Sequence, residues 1–117
     1  MGVDTKVLLT NPPDVLDLLR YTDETYKRAS LRCTGSGAYQ LQFADDGRDR
    51  ILWVCPPGVC ASDYADVHTG PAILISMGCW GNSEAIARRM AVKWGGMIMP
   101  NDCEDDWQNV HGAAGPA

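Results

Sequence analysis

The sequence predicts an α+β domain: a mostly antiparallel sheet of about four to five strands with two helices packed on one face. Three observations predict it. Two stretches, near Val15 and near Ala87, space their apolar residues for a helix. Between them, from Lys27 to Val54, the apolar period falls to two, as in strands with one face buried. At 117 residues, 45% hydrophobic and 21% charged, the chain suits one globular core. The expected domain is 1–110, with 111–117 a small-residue flexible tail.

Lys6-Val7-Leu8-Leu9 reads either as a short strand or as an apolar arm stapling the helix that follows. At Asn11-Pro12-Pro13-Asp14 a capping Asn, prolines suited to a first turn and an Asp that complements the dipole predict a helix start. Val15, Leu18 and Leu19 supply its apolar stripe, and it should end near Thr22. Ala29, Leu31 and Cys33 alternate with Arg28, Ser30 and Arg32, which predicts a strand, and Thr34 to Gly37 a turn.

Tyr39, Leu41 and Phe43, then Asp45-Asp46-Gly47, then Ile51-Leu52-Trp53-Val54-Cys55, form the clearest hairpin. Its second arm is apolar at consecutive positions and is expected to be a central strand covered on both faces. Pro56-Pro57-Gly58 ends it, and a loop runs to about Pro71. Ala72 to Met77 is a further strand. Asn82 or Ser83 then caps a second helix with Ala87, Met90, Ala91 and Trp94 on one face and Arg88, Arg89 and Lys93 on the other. Gly95-Gly96 stops it, and Met97-Ile98-Met99 is a last short strand, so that this β-helix-β unit adds a parallel pair.

The net charge of −5 and pI near 4.7 argue against direct nucleic-acid binding or an anionic membrane surface, since both rest on Lys and Arg. A basic protein, such as a nucleic-acid-handling enzyme, is the expected partner. No apolar run has membrane-spanning length and Met1 to Thr5 lacks a secretory pattern, so a cytoplasmic location is expected. Met1-Gly2 is read as an ordinary start rather than a lipidation signal, because no polybasic patch accompanies it. The five cysteines, an odd number, are expected reduced and mostly as small buried hydrophobes.

Chemistry has three candidate seats. Gly78-Cys79-Trp80-Gly81-Asn82-Ser83 is a strand-to-helix turn, where free N–H groups can hold an anion or favour a Cys79 thiolate. It lacks the Lys of a phosphate loop and the second Cys of a Cys-x-x-Cys motif. Cys55 and Cys60, with Cys33, Cys79, Cys103, His68 and His111, have no second paired hook, so no metal and no cofactor are expected. The acidic residues are the third seat: Asp45, Asp46 and Asp49 at the hairpin tip, and Asp102, Glu104, Asp105 and Asp106 ending on Trp107, a contact group typical of binding hot spots.

The helix-Gly-Gly-strand ending followed by an acidic segment is loosely similar, over the last third of the chain, to small immunity proteins and phage-encoded inhibitors. With so little catalytic constellation, the expected function is that of a non-catalytic protein that occludes a basic partner, and the acidic residues are its expected contact surface. The alternative is a thiol-dependent enzyme, or a protein binding a small ligand or anion, built on the Gly78–Ser83 turn.

Overall fold

A computed structural model describes residues 4–110. The elements run β1 (Asp4–Leu9), α1 (Val15–Thr25), β2 (Lys27–Cys33), β3 (Tyr39–Asp45), β4 (Arg48–Cys55), β5 (Ile73–Gly78), α2 (Ser83–Trp94), β6 (Gly96–Met99) and β7 (Gln108–Val110). The strands make one seven-stranded sheet in the order β2-β3-β4-β5-β1-β6-β7, with every neighbouring pair antiparallel. This is the α+β class expected, with more strands than the four to five expected. The added strands are the two ends of the described chain. β1 is the short strand that its brevity left open, and β7 has no apolar periodicity to announce it.

β1 lies between β5 and β6 and pairs with both, Val7 facing Ile75 on one side and Ile98 on the other. The β5-α2-β6 unit therefore yields no parallel pair, because the first strand of the chain is inserted between its two strands. This central placement explains the consecutive apolar run Val7-Leu8-Leu9, which is fully buried on both faces.

The main core is a single buried cluster. Val7, Leu9, Ile73, Ile75, Met77, Leu41, Phe43, Leu52, Val54 and Ile98 join Leu18 of α1 and Ile86, Ala87, Met90 and Ala91 of α2 in it. A second, smaller cluster lies apart from it, in which Leu8, Tyr64, Ala72 and Leu74 are covered by Cys55 and Trp107. That cover stops short of the outer half of β4, where Ile51 and Trp53 are 38% and 46% exposed. The expectation that β4 is covered on both faces is thus corrected. Its apolar run fills the main core through Leu52 and Val54, and on the other face only Cys55 meets the smaller cluster.

α1 begins three residues later than its capping signals suggest and runs on to Thr25. Pro13 biases Pro12 to extended backbone, so Asn11 cannot start a helix across them, and Asp14 takes the N-cap position at φ −65°, ψ 152°. The last turn is held by the Thr22 hydroxyl, which donates to the Leu18 carbonyl at 2.8 Å. Asp46 at φ 54° and Gly47 at φ 77° give the β3-β4 hairpin the two left-handed residues of a type I′ turn.

Gly96 has a different role, because a side chain there would collide with the Leu8 carbonyl. Glycine is what lets β6 approach β1.

Candidate functional site

The antiparallel register sorts the connections to two ends of the sheet. Asp4 faces Gly78, and Asp45 and Arg48 close the β3-β4 hairpin. One end therefore gathers the hairpin tip, the β5-α2 turn, the start of β1 and the β6-β7 connection. The Pro56–Pro71 loop and His68 lie at the other.

At the first end the candidate segments touch. Asn82 donates from Nδ2 to Asp45 Oδ2 at 3.0 Å, tying the Gly78–Ser83 turn to the hairpin tip. Asp102 donates its backbone N–H to the Asp4 carbonyl at 2.9 Å and accepts the Asp4 N–H on Oδ1 at 3.1 Å. Its other carboxylate oxygen stands 3.6 Å from Lys6 Nζ. Asp102 thus anchors the acidic segment to β1. Asn101 orders the following residues, its carbonyl accepting from the Glu104 and Asp105 N–H groups and its side chain from that of Cys103.

Of the other acidic residues, Asp46, Glu104 and Asp106 are exposed and Asp105 is partly exposed. Asp49 is exposed and lies 3.8 Å from Arg28 Nη2. Trp107, in contrast, packs over Leu8, Tyr64, Ala72 and Leu74, so much of its surface is spent within the fold. Beside the hairpin tip, Tyr26, Lys27, Arg28, Ala44, Asp45 and Asp46 line a cavity of about 490 Å³.

The turn itself is held by hydroxyls. The buried Thr5 hydroxyl lies 2.9 Å from Ser83 Oγ, 2.7 Å from the Pro100 carbonyl and 3.4 Å from Cys79 Sγ, and Cys79 lies 3.3 Å from the same carbonyl. Ser83 is turned to Thr5, and neither it nor Asn82 caps α2 through its side chain. Trp80 lies under the Arg50 guanidinium, 4.3 Å from carbon to ring centre. Arg50 Nε is buried with no partner among the described residues. Sequence reasoning passed over Arg50 and Thr5. The out-of-pattern arginine at a core-facing position of β4, opposite Phe43, was the available signal for the first.

Cys79 is exposed, and its neighbours are a hydroxyl and a carbonyl rather than a base. His68 is far from it in the fold, with Nε2 3.4 Å from the Pro71 carbonyl and its ring 6.3 Å from that of Tyr64. His111 lies outside the described residues. The cysteines are not buried hydrophobes as expected. Cys33, Cys60, Cys79 and Cys103 are exposed and Cys55 is half-buried, since they sit at strand ends and in connections. Among the described residues no three His, Cys, Asp or Glu side chains are grouped to hold a metal ion. Among the described residues no helix is long and apolar enough to cross a membrane.

The face of α2 opposite its core side is basic. Glu84 and Arg88 pair at 2.9 Å, and Arg89 donates to the Tyr26 hydroxyl at 3.2 Å. Burial pushes the Tyr26 phenol above its ordinary value, and the bond from Arg89 opposes that rise. Arg89 therefore ties α2 to the end of α1. Comparison with protein-family models, curated proteins and solved structures finds no match for this chain.

Proposed function

We propose that the chain is a non-catalytic binding protein whose contact surface is the acidic end of the sheet, and that it acts by occluding a basic protein partner. One observation carries the reading. The Asp102–Asp4 pairing brings the acidic segment to the end where the Asp45–Asn82 bond fixes the hairpin tip. Exposed Asp46, Glu104 and Asp106 lie in the connections at that end and are the proposed contacts, since acidic groups there would speed encounter with a cationic target. Both helices lie on one face in this reading, supported by their shared core cluster. An inhibitor or immunity-type role, in a cell or a phage, is the form such occlusion takes, and the cytoplasm is its expected setting.

The test is capture from the native host on immobilised protein, repeated with Asp46→Lys, Glu104→Lys and Asp106→Lys combined. The expected outcome is a basic protein whose association slows by about tenfold or more in the variant. A small molecule retained in place of any protein, or a partner bound equally by the variant, would overturn the proposal.

A second reading places anion binding or thiol chemistry at the Gly78–Ser83 turn. It is favoured by Arg50, whose Nε has no partner among the described residues while its guanidinium stacks on Trp80, and by the exposure of Cys79. Alkylation separates the two. A Cys79 that reacts no faster than a free cysteine removes the thiol form of this reading.

A further inference from the structure

At the end of the sheet away from the acidic surface, Cys55 closes β4 and Cys60 follows across Pro56-Pro57-Gly58-Val59. The chain folds back there, with the Val59 N–H donating to the Pro56 carbonyl at 3.0 Å. The two sulfurs are brought to 3.2 Å. Cys60 is exposed, and Cys55 packs on the small cluster of Leu8, Tyr64, Ala72 and Leu74. Cys60 holds φ 59°, ψ 24°, a left-handed conformation unusual for a residue with a side chain. That conformation turns its thiol back onto Cys55.

We infer that Cys55 and Cys60 form a dithiol site that closes to an intramolecular disulfide on reaction with a small-molecule disulfide such as oxidised glutathione. The Cys60 thiolate attacks one sulfur of the oxidant, displacing one glutathione thiolate and leaving a mixed disulfide on Cys60. Cys55 then releases its proton to water, and its sulfur attacks the Cys60 sulfur, expelling the second glutathione. The two cysteines lose two electrons and two protons, and the oxidant gains them as two glutathione thiols. The order of attack follows exposure, since Cys60 is the sulfur that an outside reagent meets. Burial first, and then Cys60 and Asp63, push the Cys55 thiol up to about 12, which keeps it protonated until Cys60 has reacted.

The closed ring ties the start of the long loop to β4. It lies apart from the acidic end, so this site and the proposed binding surface stand or fall separately.

The test equilibrates the protein, under native conditions, in a mixture of reduced and oxidised glutathione in which simple monothiols stay reduced. It then quenches with acid and counts maleimide labels on the unfolded chain by mass. With five cysteines and two consumed, the expected count is three, with a fragment linking Cys55 to Cys60. Cys60→Ser, at an exposed position, should take four labels and show no linked fragment, and Cys55→Ser the same. Five labels on the wild-type chain would overturn the inference. So would a linked fragment joining another pair, or a loss of labels that survives Cys60→Ser.

Discussion

Thr5 has one hydroxyl placed between Ser83 Oγ, the Pro100 carbonyl and Cys79 Sγ, and it is fully buried. Thr5→Val keeps the shape but leaves the Ser83 hydroxyl without its partner and the Pro100 carbonyl with only the Cys79 thiol, which costs about 1–3 kcal/mol by the usual penalty for orphaned buried groups. A urea midpoint that fails to fall would show that Thr5 does not hold the turn. Gly96→Ala is a harsher change. The added methyl meets the Leu8 carbonyl in the central strand, and relief requires moving backbone, so a loss of about 3 kcal/mol is expected by analogy with overpacked cores. Ionisation adds a third prediction at this scale. The Cys55, Tyr21 and Tyr26 groups are all raised above their ordinary values, chiefly by burial. The folded chain therefore keeps protons that the unfolded chain releases, and its stability is fully present below the ordinary values and lost as pH rises past them. The reduced protein should lose stability from about pH 9 upward, where an unperturbed Cys55 would begin to ionise. Cys55→Ala should flatten the first part of that slope in urea titrations at successive pH values.

Within the elements, the alternation of β4 decides which substitutions hurt. Leu52 points into the core and Ile51 onto the partly open face, one residue apart. Leu52→Ala should cost about 2–5 kcal/mol, and Ile51→Thr less than about 1 kcal/mol, both read from chemical denaturation. Equal losses would mean that both faces are covered after all. The same alternation made the β2-β3-β4 meander legible in the sequence, because Leu41 and Phe43 and the Asp46-Gly47 turn fix period, register and reversal locally. α2 was legible for a similar reason, its apolar stripe and Gly95-Gly96 stop being complete within the segment. The start of α1 was misread because capping by Asn11 and the restriction imposed by consecutive prolines point to different residues, and the prolines prevail. β7 left no trace. Gln108-Asn109-Val110 forms a strand only because β6 offers it an edge.

At the scale of the whole molecule, what the sequence could not show is which distant segments meet. The acidic residues were visible as composition, but the seating of the Asp102 segment on β1 depends on Asp4 and Asp102 bonding across a separation of 98 residues. The insertion of β1 between β5 and β6 is the same kind of fact, since each partner is far along the chain and nothing in Lys6-Val7-Leu8-Leu9 names them. This insertion places β1, with β5, among the elements least able to open alone. It is bonded on both sides, and Val7, Leu8 and Leu9 are wholly buried, whereas among the described residues β2 and β7 are the edge strands, with largely exposed residues. Native-state hydrogen exchange should follow that order. The amides of Val7 and Leu9, with Ile73 and Ile75 beside them, should exchange only through global unfolding, roughly a thousandfold or more slower than those of Gln108 to Val110. Exchange of β1 as fast as that of β7 would mean that the first strand is not seated between β5 and β6. The platform under the acidic end would then be lost with it.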